Sequence, residues 1–584
     1  MSVLRICGFL LLLPVIALAD PHRDVLIDDP QAVTLLQARG LDLGSVAFGQ
    51  KARKTVDLAN LPGWQSIVEL LQKTVQKRQK QDPKLGVGLR FTHRLFDLKW
   101  LKSPWTRMEL IGVSNRMDRN VFLTEGCGEL RLIYRLAWQL PDDASRLPLT
   151  VAVVLRQPGT CFEAWKRWPW QGNRQPELLL QPGAALTAEF VNAENLLSLE
   201  LNLQIVRWPS TAKPDLGGHA EYALFVLHRQ ADGRFLPAGM ENQPDVAKLQ
   251  ANPLLRARLL AWLQEPEHVR AIDQGVALIP AEFLATQAVS VAPRGLARLQ
   301  NRPFRQLFQP TEFKDLNLQP FAEMRTQNAL LRRLDTLSCT GCHQANSLAG
   351  FHFLGADPKT QKLDALAVGR SAHLQRELAL RQADMDRWPE EPPQRRREQP
   401  DLLGLGMPEG PCDLAENGFG HCADLPTAKL RCVQIDDDEL GLCMPENGEI
   451  GLACEGGKLI SGRKPENDMM SAVTSLTCPA FSLCNSSFAG FPAGTCLAPC
   501  GNNADGTTCA GIPRLVPFNK CLASGRPFSK CATENAFPGL VRACSAETPC
   551  RSDFVCSRGA EGQGACMPPY FLRQLRVDGH PRLK

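Results

Sequence analysis

Residues 196–205 read Leu-Leu-Ser-Leu-Glu-Leu-Asn-Leu-Gln-Ile. Leu197, Leu199, Leu201, Leu203 and Ile205 alternate with Ser198, Glu200, Asn202 and Gln204, the period of two of a strand with one buried face. The same alternation recurs at Leu130, Leu132, Tyr134 and Leu136, and the apolar run Leu147–Leu155 reads as another strand. In Ala223–Pro237 an Asp232-Gly233 pair separates two strand-like runs, a hairpin signal. Together these predict a β-sandwich-like domain over residues 86–240. Cys127 and Cys161 are its only cysteines and are expected to pair.

On either side the period changes to helical. Between 20 and 85, Ile67, Leu70, Leu71 and Val75 share one face with lysines opposite, which predicts a helical N-terminal segment. From 241 to 386 the helical period returns. Asn252-Pro253 reads as an N-cap followed by proline in the first turn, and a further helix is expected over Phe321–Leu337, with Leu330, Leu331, Leu334 and Leu337 as its apolar face. Residues 387–410 form a Pro/Arg-rich linker. From 411 to 584 the composition shifts to a cysteine-rich, loop-dominated region. The fold class is therefore a multidomain α+β protein.

The 584 residues are 44% hydrophobic and 22% charged, ordinary globular usage that excludes disorder of the whole chain. A net charge of +5 is too balanced to argue for nucleic acid. The first nineteen residues read as a signal peptide: Arg5 precedes the apolar run Phe9–Leu18, and Ala17-Leu18-Ala19 predicts cleavage between Ala19 and Asp20. No later run is long and apolar enough to span a bilayer, so no transmembrane segment is expected in the mature chain. A periplasmic or secreted location follows, and it suits the 21 cysteines. Sixteen of them lie between Cys412 and Cys566. Cys432, Cys484 and Cys556 are each followed, after 9 to 11 intervening residues, by the cysteine of a Gly-x-Cys: Cys443, Cys496 and Cys566. Three similar disulfide-stapled modules are expected, their connectivity left open.

Cys339-Thr340-Gly341-Cys342-His343 carries the chemistry. Its CxxCH spacing is the attachment signature of c-type haem. Two intervening residues let one turn present both thiols along one haem edge, and the adjacent histidine reaches the iron as proximal ligand. A plain disulfide, a thioredoxin-like pair and a zinc site compete with this reading. No βαβ pattern surrounds the pair, and zinc would need a fourth ligand.

Through Cys339, Cys342 and His343, and the leucine-rich helix before them, residues 320–390 resemble the monohaem c-type cytochromes. The resemblance implies a small helical domain with one covalent haem c that moves electrons to or from a redox partner protein. It also implies a methionine from downstream as sixth ligand. Met385 lies 42 residues after His343 but has charged neighbours, Asp384 and Asp386. His352, between Phe351 and Phe353, competes with it on equal terms; His373 is a third option, Met407, further downstream, is the least favoured, and an open sixth position is the remaining alternative. Arg332, Arg333 and Arg370 flank the motif as candidate propionate partners.

No other catalytic motif stands out, so no catalytic side chain is named. Electron transfer is favoured over catalysis. A haem enzyme or gas sensor with an open sixth site, peroxidase-like, is the first alternative; a cell-surface binding protein with disulfide-rich modules is the second.

Overall fold

The computed structural model describes residues 23–388, except 88–92, 140–143, 170–171, 209–218, 293–298 and 346–371, together with nine short strands between 411 and 567. Residues 23–388 are organised by one ten-stranded sheet. Its strands are β1 (Leu26–Ile27), β2 (Leu85–Gly86), β3 (His93–Leu95), β4 (Thr106–Arg116), β5 (Glu129–Gln139), β6 (Ala144–Arg156), β7 (Leu196–Trp208), β8 (His219–Arg229), β9 (Phe235–Ala238) and β10 (Ala288–Ala292). The path β1-β4-β5-β6-β7-β8 is antiparallel throughout. β9 and β10 both pair with the outer side of β8. β3 runs beside the end of β7, with β2 parallel to it. The β8–β9 hairpin turns at Gly233, whose φ of +81° is a conformation that glycine adopts without steric cost.

The leucine face of this sheet is covered by α1 (Pro30–Ala38), α2 (Leu43–Phe48), α3 (Thr55–Leu58) and α4 (Pro62–Gln81). Leu199, Leu201 and Leu203 of β7, Leu132 and Tyr134 of β5, and Val151 and Val153 of β6 share one core with Leu36, Leu43, Trp64, Ile67 and Leu71. Burying each such aliphatic side chain favours folding by about 1.5–3 kcal/mol.

Helices cover the opposite face as well. They belong to the set α5 (Cys161–Lys166), α6 (Val246–Ala251), α7 (Pro253–Gln264), α8 (Pro266–Gln274), α9 (Pro303–Leu307), α10 (Gln327–Leu337), α11 (Cys339–Ala345) and α12 (Ala372–Arg387). Over β4 and β5, Ile111 and Ile133 meet Ala164 of α5 and Leu378 and Met385 of α12. Over β8 and β10, Tyr222, Leu224 and Ala288 meet Cys339 of α11. Helices α6–α10 bury a cluster of their own around Leu259, Ile272, Phe304, Phe308 and Leu330.

The arrangement is α+β, as expected, but the sandwich is corrected. The strands of 86–240 join one sheet, and helices, not a second sheet, cover both its faces among the described residues. Alternation along a strand shows that a face is buried without showing what buries it. β10, from the helical stretch after 241, returns to the same sheet. The expected helix over Phe321–Leu337 begins six residues later, at Gln327, where the Thr326 hydroxyl caps it by accepting from the Ala329 N–H at 3.1 Å. Cys127 and Cys161 form a disulfide, with Cα atoms 4.7 Å apart. No helix among the described residues is long and apolar enough to cross a membrane.

Candidate functional site

The sheet face turned away from α1–α4 is buried, yet polar. Register aligns Arg135 of β5 with Thr150 of β6 and Asn202 of β7, and next to that row Gln204 of β7 with Tyr222 of β8 and Ser290 of β10. All six are buried. Buried polar side chains of this kind need hydrogen-bond partners.

Helix α11 lies on that face. Ser338, between α10 and α11, turns the chain: its hydroxyl donates to Asp335 O at 2.6 Å and accepts from the Gly341 N–H at 3.2 Å, and its carbonyl accepts from the Cys342 N–H at 2.8 Å. The segment after β9 grips the first turn. Gln243 Oε1 accepts from the Thr340 N–H and hydroxyl, both at 3.0 Å, and the Cys339 thiol donates to Glu241 O at 3.3 Å. Cys339 and Cys342 are both partly exposed and are not joined to each other by a disulfide.

His343 is 3% exposed. Its Nδ1 lies 2.7 Å from Ser290 Oγ and its Nε2 2.8 Å from Asn202 Nδ2. The Asn202 amide nitrogen can only donate, so Nε2 presents its lone pair and Nδ1 carries the proton toward Ser290. The Tyr222 ring flanks the imidazole at 5.3 Å, and its hydroxyl accepts from Gln204 Nε2 at 2.9 Å. Asn202 Oδ1 is buried without a hydrogen-bond partner. The site therefore brings two thiols and an oriented, neutral imidazole onto less than two turns of helix.

Charge is concentrated on the same face. Arg119 bridges Glu129 at 2.7 Å and also pairs with Glu241, the residue whose carbonyl meets Cys339. Arg131 pairs with Glu129 at 2.7 Å and Glu200 at 2.9 Å. Burial alone would raise the Glu129 carboxyl; Arg119, Arg131 and Arg116 overcome it and hold the group at about 2. Asp335 of α10 goes the other way. Burial pushes it to about 7, opposed by Arg302 and by the N–H groups of Phe304 and Arg305.

Met385 is buried in α12, where its Sδ accepts from Asn115 Nδ2 at 3.7 Å and its carbonyl from Trp165 Nε1 at 3.1 Å. Asn115 lies on β4 and Asn202 on β7, three strand spacings or about 14 Å apart. The structure thus sets Met385 and His343 at different ends of one face. His352 and Arg370 lie outside the described residues. Arg333 is committed elsewhere: its guanidinium donates to Ile272 O at 3.0 Å and Asp273 O at 2.8 Å, closing the end of α8. Arg332 is buried. Sequence reading missed Asn202, Ser290 and Arg135. In a strand that alternates, nothing separates a polar residue facing a helix from one facing water.

No family model matches this chain, and neither a curated protein nor a solved structure matches it.

Proposed function

We propose that the chain is an extracytoplasmic c-type haem protein whose use is electron transfer. Cys339 and Cys342 are its covalent anchors and His343 its axial ligand, in a haem-bearing part spanning 241–386 that precedes the Pro/Arg-rich linker and the cysteine-rich region 411–584. The observation that carries this reading is the state of the motif. The two cysteines sit one helical turn apart, and His343 has its Nδ1 proton held by Ser290 and its Nε2 lone pair turned to the polar face. A ligating histidine is ordered in this way by a hydrogen bond on its other nitrogen. The donor set therefore fits the group in kind. Nε2 would be the nitrogen to hold the iron, in place of the Asn202 amide, whose Oδ1 has no hydrogen-bond partner.

Haem iron supplies reversible one-electron chemistry. The protein supplies the rest: Ser290 fixes the imidazole plane, Tyr222 limits its rotation, and the helices on either face exclude water. Arg135, in register with Asn202 two strands away, adds a buried cation to the same face. A redox partner protein must then collect or deliver the electron. The Cys127–Cys161 disulfide suits the periplasmic or secreted location, with cleavage between Ala19 and Asp20.

One observation favours a second reading, an open sixth position and with it a gas-sensing or peroxidase-like haem. Met385 is held by Asn115 and Trp165 at the other end of the face. His352 remains the competing sixth ligand. Optical spectra of protein made with c-type maturation machinery, oxidised, reduced, and reduced with CO, decide between them. A sharp reduced α-band unchanged by CO supports electron transfer through a closed haem. A CO-shifted spectrum supports the open site, and no haem band overturns both.

A further inference from the structure

The nine strands after the linker are β11 (Pro411–Asp413), β12 (Leu430–Gln434), β13 (Leu440–Pro445), β14 (Ala453–Cys454), β15 (Leu483–Asn485), β16 (Gly494–Leu497), β17 (Ala543–Cys544), β18 (Val555–Arg558) and β19 (Gly564–Met567). They form three sheets, ordered β11-β13-β12, β14-β16-β15 and β17-β19-β18, so the third strand of each set is central. Register repeats position for position. On one side of the central strand Cys432 lies opposite Cys443, Cys484 opposite Cys496 and Cys556 opposite Cys566. On the other side Cys412 lies opposite Gly441, Cys454 opposite Gly494 and Cys544 opposite Gly564. Residues opposite one another, or two apart on a strand, share a face. The register therefore places three cysteines on one face of each sheet.

Loop length does not set this register. The cysteine of the first strand precedes that of the second by 20 residues in the first sheet, 30 in the second and 12 in the third. What the sheets share is the cysteines. Each also encloses one more between its first two strands, Cys422, Cys478 and Cys550, which makes four per unit. The four left over, Cys500, Cys509, Cys521 and Cys531, fall together between the second and third sheets. Their last two are 10 residues apart, where the corresponding separations in the other units are 11, 12 and 10. Ser529 stands where the other units have the central glycine.

We propose that residues 411–567 are four tetracysteine units in series, each closing two disulfides within itself, with no bridge between units. Opposed Cα atoms in an antiparallel pair lie about 4.5–5.5 Å apart, within the span a disulfide takes. Units this small bury too little apolar surface to stand without internal staples. Four cysteines per unit leave none over. Each bridge forms by exchange with a disulfide-bearing oxidant of the compartment. The two thiols give up two protons and two electrons, the protein S–S bond forms, and the oxidant's S–S bond is reduced to two thiols.

The test is disulfide mapping of the unreduced full-length protein after thiol blocking. Glu-C cuts between Cys443 and Cys454, trypsin between Cys531 and Cys544, and thermolysin at Leu497, between Cys496 and Cys500. The proposal expects every linked pair to fall within 412–443, 454–496, 500–531 or 544–566, eight bridges in all. A peptide linked across two of these sets overturns it, as does a blocked free thiol among the sixteen.

Discussion

At the scale of single residues, the site rests on how His343 is held. Ser290 Oγ at 2.7 Å from Nδ1 is the contact that orients the ring. Ser290→Ala leaves that buried N–H without this acceptor, and a loss of about 1–3 kcal/mol of stability is expected. In the haem-loaded protein the same change makes the imidazole a weaker donor, so the midpoint potential rises. A variant that loses stability while its potential stays in place would make Ser290 structural only. Asp335 sets a pH dependence. Its carboxyl is raised to about 7, so the native state keeps a proton that the unfolded chain releases near 3.8. Ionisation opposes folding, and stability falls as pH rises from about 4 to about 7. Urea midpoints of Asp335→Asn should be flatter across that interval than those of the parent; parallel profiles would contradict the assignment. Glu129 has the opposite sign. Held at about 2 against an ordinary 4.5, it contributes stability above pH 4.5 that is lost as pH falls through 2. Glu129→Gln should therefore shorten the acid limb of the stability curve, and it should cost at most about 3–5 kcal/mol at neutral pH, because the carboxylate that Arg119 and Arg131 share is lost while Glu241 and Glu200 remain. An unaltered acid limb in denaturant titrations would exclude that role.

At the scale of elements, much was legible and the errors have physical causes. The leucine alternation of β7, the Asp232-Gly233 hairpin and the Asn252-Pro253 start of α7 all stand in the structure. Local chemistry fixes each of them: a period of two, a glycine at positive φ, and a side-chain cap that accepts from the Leu255 N–H at 3.1 Å. The expected start of α10 at Phe321 was too early because Phe321 and Met324 share the helical spacing. The Thr326 cap is what sets the boundary. Thr326→Ala should cost about 1 kcal/mol. Thermal unfolding checks it, and an unchanged midpoint would show that packing alone holds the helix start. The layers were not legible, because Leu199 and Leu201 point to a core whose other half comes from α1–α4, more than a hundred residues away. Nor were the partners of His343, which come from 141 and 53 residues away on strands whose polar positions looked solvent-facing. The motif itself was fully legible, since CxxCH is local. Its burial against the sheet is a tertiary fact.

At the scale of the whole molecule, residues 23–388 form three layers, and the described strands between 411 and 567 repeat a three-stranded unit. Helix α11 joins the layers at one point. It follows directly on α10, is gripped by the segment after β9, and sets His343 on the polar side of β7 and β10. One short stretch of helix carries two cysteines and an oriented imidazole against the sheet, and the proposal is that haem attaches there. The most direct test of that claim is whether haem stays on the chain under denaturing conditions. Mature protein from cells with c-type maturation machinery should keep its haem absorbance after acid-acetone extraction and denaturing gel electrophoresis. The double variant Cys339→Ser, Cys342→Ser should lose it while keeping the Cys127–Cys161 disulfide. Haem that extracts freely from the parent chain, or absorbance that survives in the double variant, would contradict the account.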